Sequence, residues 1–316
     1  MMEAWQLKQM QALPLEVKIL KTQQRIREWY EAWDGQVYVS FSGGKDSTVL
    51  LKLVRELYPD VEAVFIDTGL EYPEIRTHVK SIGNVVWLKP KMVFTDVIKK
   101  YGYPVIGKDV ATMLMYAKKG RQWAIDRLNG VNSDGSKSMF KQRFMKYKYL
   151  IDSPFLISSS CCDVMKKGPA KKYERESGNK AFIGTMAGES AMRRTSYLIT
   201  GCNAFGAKRP KSTPMGFWGE QDVLEYLLKF NTPYAKVYGD IVQTSKGLST
   251  TGESRTGCMW CMFREHLEKG ETKFQRMSKT HPKQYDYCIN KLGLGEVLDY
   301  IGVDYRVNDL FEGGTV

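Results

Sequence analysis

Residues 37–51, "VYVSFSGGKDSTVLL", constrain the architecture of this chain more than any other stretch. A short apolar run ends at Phe41, Ser-Gly-Gly breaks it, and apolar residues then recur at helical spacing. That pattern reads as strand, tight loop and apolar-faced helix. Further strands are expected at 61–66, 85–88 and 181–185, with helices over 46–58, 73–82, 94–101, 109–119, 138–149, 161–177 and 219–230. Residues 3–33 read as helical with one break near Pro14, and 239–257, rich in Gly, Ser and Thr, as loop. Alternating strands and helices predict an α/β protein with a doubly wound, mainly parallel sheet and helical additions at both ends. Three segments follow: an N-terminal helical segment 1–35, a main domain 36–264 and a C-terminal helical appendage 265–316.

The loop itself has a chemical reading. Amides at the N-terminus of the helix suit a phosphate, and Gly43 and Gly44 let backbone come close to it. Lys45 adds charge, and Ser42 and Ser47 add hydroxyls. A Walker A loop has Ser or Thr directly after Gly-Lys. Here Asp46 intervenes, which beside phosphate calls for Mg²⁺ or the helix N-terminus to offset it.

The net charge is +12, and residues 137–175 hold ten Lys and Arg against three acids. Arg193, Arg194, Lys208, Arg209 and Lys211 add more. This balance favours polyanions, nucleic acid above all. Within it, "KQRFMKYKYL" (141–150) interleaves Lys and Arg with Phe and Tyr, as contact with a flexible strand requires; an amphipathic helix that packs Phe144, Met145 and Tyr149 is the alternative. No window supplies the roughly 20 apolar residues of a membrane span, and the charged N-terminal stretch has no signal-peptide core. The expectation is a cytoplasmic protein whose six cysteines serve a metal or catalysis before disulfides.

Several of these stretches resemble one family. "SGGKDS" after an apolar strand looks like the PP-loop of the adenine nucleotide alpha-hydrolase-like superfamily. Its members split ATP between the α and β phosphates, and the loop would bind the pyrophosphate portion. "VFIDTGLEYPEI" (64–75) resembles the matching segment of the phosphoadenosine-phosphosulfate (PAPS) reductase family, which implies that Asp67, Thr68 and Gly69 line the nucleotide site. "FIGTMAGESAMRR" (182–194) falls where that family carries a glycine turn, here Gly188, and a nucleotide-contacting arginine, here Arg193. The implied nucleotide set is Ser40, Ser42, Gly43, Gly44, Lys45, Asp46, Ser47, Asp67, Thr68, Gly69, Gly188 and Arg193. The resemblance runs from about residue 36 to 264.

The spacing of Cys161, Cys162, Cys258 and Cys261 suits either zinc or a 4Fe–4S cluster. "SSSCCDVMKKGPAKKY" followed by "TGCMWCMF" resembles the signature of the cluster-bearing sulfonucleotide reductases, which implies the cluster. Cys202, near Arg193 and Arg194, reads either as a sulfur acceptor activated by positive neighbours or as a buried small residue. Cys288 reads as packing.

The sequence departs from the reductases twice. Those enzymes end in a Glu-Cys-Gly motif, and the last eighteen residues here contain no cysteine. They also carry a degenerate PP-loop, whereas Gly43-Gly44-Lys45-Asp46 is intact. Both departures point to ATP as substrate, as in the related branch that installs sulfur in nucleic acid: DNA phosphorothioation proteins and cluster-bearing tRNA thiolation enzymes. The resemblance thus implies an ATP pyrophosphatase and sulfurtransferase using Mg²⁺, with DNA or tRNA as acceptor and a cysteine desulfurase as sulfur donor. Lys45, Asp46, Arg193 and Cys202 are its candidate catalytic residues. A sulfonucleotide reductase forming sulfite and a non-catalytic nucleic-acid-binding module are the alternatives.

Overall fold

The structure is a computed structural model that describes residues 2–132, 134–139 and 141–307. Contacts gather the chain into two compact units, each made of two stretches. One comprises residues up to Pro90 with Gly168–Met259, the other Lys91–Lys167 with the residues from Trp260 on. These units do not coincide with the segments 1–35, 36–264 and 265–316. Part of the C-terminal appendage and of the cysteine-free tail, 308–316, lies outside the described residues.

The strands of the described residues, in chain order, are β1 (Val37–Ser40), β2 (Ala63–Ile66), β3 (Val85–Leu88), β4 (Val105–Ile106), β5 (Lys180–Ile183), β6 (Asn203–Ala204), β7 (Lys211–Ser212), β8 (Ile241–Thr244), β9 (Gly247–Thr250) and β10 (Met262–Phe263). The first unit holds a six-stranded sheet in the order β3-β2-β1-β5-β7-β6, parallel except for the antiparallel β6–β7 edge. Strand β1 is fully flanked: Val39 pairs with Ala63 on one side and with Phe182 on the other. That position explains the continuous apolar run of its sequence. The chain steps from β1 outward to β2 and β3, then returns to place β5 on the other side of β1. The order therefore reverses at β1, and ligands of such sheets sit beyond the strand ends at that point.

Four helices frame this end of the sheet. Helices α1 (Ala4–Gln11) and α2 (Leu15–Ala32) are separated by Pro14, the expected break. The buried residues of α2 are Leu15, Lys18, Thr22, Ile26 and Trp29, one stripe at helical spacing. Thr22 accepts a 2.9 Å hydrogen bond from the buried Trp218 indole, which ties α2 to the segment before the helix Glu220–Lys229. Helix α3 (Lys45–Leu57) buries Val49, Leu50, Leu53 and Val54. Its Arg55 holds the carbonyls of Val61, Gly83 and Asn84, fixing the loops that enter β2 and β3. Helix α4 (Pro73–Ser81) starts with proline at its first turn, where the missing N–H costs nothing.

Residues 239–257, expected as loop, contain the β8–β9 antiparallel hairpin. Its two-residue connection is Ser245-Lys246, not the Asn-Gly or Asp-Gly pair that marks such turns in a sequence.

The second unit is mostly helical, with β4 and β10 paired in parallel. The helix expected over 138–149 is instead a short helix, Lys141–Met145, and a 3-10 turn, Lys148–Asp152. A helix the sequence reading missed, Gln122–Leu128, precedes them. The single helix expected over 161–177 is split by a wide turn at Asp163–Lys167, just before Gly168-Pro169. Proline lacks an N–H to donate and disfavours helical backbone before it. Among the described residues no helix is long and apolar enough to cross a membrane.

Candidate functional site

The end of β1 and the start of α3 meet at residues 41–45. Gly43 has φ +73°, and a Cβ there would lie 2.7 Å from Val79 Cγ2 and 2.8 Å from Ile75 Cγ2 on α4. Only glycine both takes this conformation and fits this gap. Gly184, just past β5, brings its strand against the loop: a Cβ would stand 3.3 Å from the Asp46 carbonyl oxygen. The serines brace the turn from inside. The Ser42 amide donates to Ser47 Oγ at 3.2 Å, and Ser47 Oγ donates to the Gly44 carbonyl at 2.9 Å. Thr48 Oγ1 donates to the same carbonyl at 3.1 Å.

A cavity of about 560 Å³ opens over this loop, in the size range of small-molecule sites. The C-terminal ends of β1 and β5 line it through Ser40, Ser42, Ile183 and Gly184. Lys45, Asp46 and Ser47 form its floor at the helix N-terminus, and Gly188, Glu189 and Arg193 one wall. Thus nine of the predicted residues converge: Ser40, Ser42, Gly44, Lys45, Asp46, Ser47, Gly188 and Arg193 line the cavity, and Gly43 braces the turn beneath. Asp67, Thr68 and Gly69 are not among its lining residues. They build a separate turn after β2: Asp67 pairs with Arg76 at 2.9 Å, and Thr68 Oγ1 donates to Glu71 at 2.7 Å.

The electrostatics of the cavity floor are strongly coupled. Lys45 Nζ lies 3.2 Å from Glu220 and 3.6 Å from Asp46 Oδ1, and donates to the Ser254 carbonyl at 3.1 Å. Burial works to lower its pKa, but Asp46, Tyr238 and Glu220 together outweigh burial and raise it. The ammonium therefore stays charged. The Asp46 carboxyl is raised, first by burial and then by Glu189 and Glu220, against the pull of Lys45. Its Oδ1 is buried with no hydrogen-bond partner. A carboxylate in that condition favours a cation, and Mg²⁺ takes one or two carboxylates together with phosphate oxygens. The residues present fit it in that role. Arg193 pairs with Glu189, and its amide donates to the Ser190 cap at 3.2 Å.

The sequence reading missed Trp218, Glu220, Tyr238, Arg255 and Thr256, which also line the cavity. Tyr238 and Thr256 come from the stretch flanking the hairpin, and nothing local in "AKVYGD" or "SRTGC" marks them. Their signal is distance across the fold, since 193 residues separate Tyr238 from Lys45.

The cysteines are distributed over the two units. Cys258 is half-buried in the first; Cys161, buried, and Cys162 and Cys261, half-buried, belong to the second. Four thiols are a suitable donor set for a cluster or zinc. Among the described residues no three His, Cys, Asp or Glu side chains are gathered as a metal ion needs. Cys202 is buried, with Sγ 3.1 Å from the Tyr197 hydroxyl. Burial pushes its thiol up, outweighing Tyr197 and the more distant Arg25. This is the environment of a packed thiol, opposite to the activation expected from Arg193 and Arg194.

The fold and cavity define an α/β protein with a crevice at the reversal point of a mainly parallel sheet. The phosphoadenosine phosphosulfate reductase domain family matches residues 36–101 and 108–262, and the chain belongs to it. Two uncharacterized proteins of Methanocaldococcus jannaschii are 28% and 38% identical over 84% of this chain. They are longer: the matches cover 43% and 51% of them, so the chain spans about half the length of these relatives. An adenosine 5'-phosphosulfate reductase of Staphylococcus epidermidis is 27% identical over 109 residues, 30% of this chain and 41% of that one. Among solved structures, a PAPS reductase from Candida auris aligns at TM-score 0.39 and 15% identity, over 68% of this chain and 82% of that one. The U34-tRNA thiolase of Methanococcus maripaludis with its 4Fe–4S cluster aligns at TM-score 0.38 and 16% identity, over 95% and 86%.

Proposed function

We propose that this chain binds ATP in the cavity over β1 and α3, cleaves it to AMP and pyrophosphate, and so adenylates a nucleic-acid acceptor for sulfur transfer. One observation carries the reading. Lys45 and Asp46, consecutive at the start of α3, face one cavity as a charged ammonium and a carboxylate oxygen without a hydrogen-bond partner. That pairing suits a polyphosphate bound with its divalent cation.

In this reading the loop amides and the hydroxyls of Ser42 and Ser47 hold the β and γ phosphates. An oxygen of the acceptor attacks the α phosphorus, the α–β bridging bond breaks, and pyrophosphate leaves with the bonding electron pair. Lys45 and Arg193, both lining the cavity, stabilise the charge that builds on the leaving group. Mg²⁺, when bound, supplies further charge neutralisation at the phosphate oxygens, and Asp46 is the residue that would hold it. Sulfur, delivered by a cysteine desulfurase as a persulfide, then attacks the adenylated atom and displaces AMP with its oxygen, and an external thiol reductant cleaves the remaining S–S bond to leave the sulfur on the acceptor. Cys161, Cys162, Cys258 and Cys261 are proposed to hold a 4Fe–4S cluster, with zinc as the alternative.

The test uses protein purified without oxygen, Mg-ATP, and an assay for AMP and pyrophosphate with and without DNA or tRNA. Pyrophosphate that is lost on Lys45→Ala and stimulated by one nucleic acid supports the reading and names the acceptor. Sulfite from adenylyl sulfate and a thiol reductant, with no pyrophosphate from ATP, makes the chain a sulfonucleotide reductase. Nucleic-acid binding with neither product leaves a binding module.

A further inference from the structure

Both ends of the loop lysine are gripped by one distant segment. The Lys45 amide, the first N–H of α3, donates to Tyr238 Oη at 3.1 Å. Its ammonium donates to the Ser254 carbonyl at 3.1 Å and lies 5.5 Å from the centre of the Tyr238 ring. Tyr238 is 2% exposed, and its hydroxyl lies 2.6 Å from Thr256 Oγ1. The fit is close on the loop side too: a Cβ on Gly44 would stand 3.0 Å from Tyr238 Oη. Gly239 and Gly252 let the chain fold back tightly behind the ring. The Gly252 amide donates to the Tyr238 carbonyl at 2.8 Å, and a Cβ on Gly252 would lie 2.4 Å from the Val237 carbonyl oxygen.

Hydrogen counting orders this chain. Tyr238 Oη already accepts from the Lys45 amide, and its phenol stays protonated because burial pushes its pKa up. Its own proton is then best placed on Thr256 Oγ1. The Thr256 hydroxyl proton is left for a partner in the cavity, which Thr256 lines. Successive hydrogen bonds of this kind polarise one another.

We propose that Tyr238 is a positioning residue for Lys45, and that the relay from the Lys45 amide through Tyr238 to Thr256 aims one hydroxyl donor at a phosphate oxygen of the bound nucleotide. The role of the site rests on the function proposed above; the placement of Lys45 does not. Tyr238 holds the lysine where charge develops on the leaving phosphate. Its hydroxyl is thus worth more in the transition state than in the bound substrate.

The variants are Tyr238→Phe, which keeps the ring and its packing, Thr256→Val, and Thr256→Ser, which keeps the hydroxyl. The first measurement is hydrogen exchange of the Lys45 amide, read without turnover. Tyr238→Phe should lose about three- to tenfold of its protection, the worth of one ordinary hydrogen bond, with neighbouring amides of α3 unchanged. The second is pyrophosphate formation. Tyr238→Phe and Thr256→Val should lower kcat by a similar factor and leave KM for ATP within about twofold, and Thr256→Ser should restore the wild-type rate. Unchanged Lys45 exchange in Tyr238→Phe overturns the proposal whatever the activity. Unchanged kcat in both variants, or no rescue by Thr256→Ser, overturns the relay. If no variant and no wild-type protein forms pyrophosphate, the function proposed above fails, while the exchange result still decides the placement of Lys45.

Discussion

Lys18 Nζ lies 2.7 Å from both carboxylate oxygens of Asp222, and the lysine is 2% exposed. Asp222 also accepts from the Gly219 amide at 2.6 Å, so the pair sets the start of the helix that carries Glu220 toward Lys45. Removing one member of a buried pair leaves an uncompensated charge, which costs about 3–5 kcal/mol. Lys18→Met is therefore expected to lower the unfolding free energy measured in urea by that amount. Lys18→Met combined with Asp222→Leu should recover part of the loss. A Lys18→Met protein as stable as wild type would remove this pair from the list of what holds α2 in place.

As a carboxylate, Asp46 costs the fold stability. Its carboxyl is raised by burial and by Glu189 and Glu220. A group whose folded-state pKa is raised adds most stability below its unfolded value, about 4 for Asp, and that stability is lost as pH rises through the folded value. Asp46→Asn cannot ionise and escapes this loss. The variant should gain on wild type in melting temperature as pH is raised from about 4 to 7, with the two converging at the acid end. The same variant should lose pyrophosphate formation. Parallel pH profiles of the two melting temperatures would contradict the assignment.

Gly43→Ala should be the more damaging of two loop substitutions. It meets both a positive φ and two methyl groups on α4 closer than 3 Å. An expected cost of about 2–4 kcal/mol combines the strained backbone with overpacking. Gly184→Ala meets backbone of α3 at 3.3 Å and has no positive φ. It should cost less in denaturant unfolding, yet still shift Asp46 and weaken binding of a fluorescent ATP analogue.

How much of this was legible in the sequence depends on how local each signal is. The loop was, because strand, glycines and helix lie within fifteen consecutive residues. Strands β1, β2, β3 and β5 were found within two residues at each end, since apolar runs bounded by turn residues mark buried parallel strands. The β8–β9 hairpin was not, because "IVQT" and "GLST" are short and only partly buried, and the turn between them has no diagnostic pair. Glu220 and Tyr238 could be read as a helix start and a turn residue, but not as partners of Lys45. The fold brings them there across 175 and 193 residues. The basic stretch 141–150 was open to two readings, a strand-contacting surface or a helix that packs Phe144, Met145 and Tyr149, and the structure divides it: Phe144 is buried against Arg127, while Met145 and Tyr149 are exposed.

Cys202 is expected to be a slow thiol. It is buried, bonded to Tyr197, and pushed above the usual thiol range. Thiolate is the reactive form, so iodoacetamide labelling near neutral pH should be far slower at Cys202 than at a solvent-exposed cysteine peptide. Cys202→Ser, which retains a partner for Tyr197, should keep its rate of pyrophosphate formation and of any sulfur transfer. Labelling at the peptide rate, or loss of sulfur transfer alone in Cys202→Ser, would restore Cys202 as the sulfur acceptor.

The division of residues 141–150 separates packing from nucleic-acid contact. Phe144 is 6% exposed, so Phe144→Ala should cost about 3–5 kcal/mol of stability, the range for a buried phenylalanine. Tyr149 is exposed and stacks on Tyr300, with ring centres 6.1 Å apart and planes at 24°, which presents an aromatic face to solvent. Lys146 and Lys148 precede it in the chain and are exposed. If single-stranded nucleic acid lies on this face, Tyr149→Ala should lose about 1–3 kcal/mol of affinity, the worth of one stacked base. The double variant Lys146→Ala/Lys148→Ala should weaken binding at low salt and reduce the slope of log K against log salt by about 1.4, two phosphate contacts on a single strand. Neither change should move the melting temperature as Phe144→Ala does. Equal salt slopes for wild type and the lysine variant would place the acceptor on another surface, and the basic charge of this stretch would then be a solvated face.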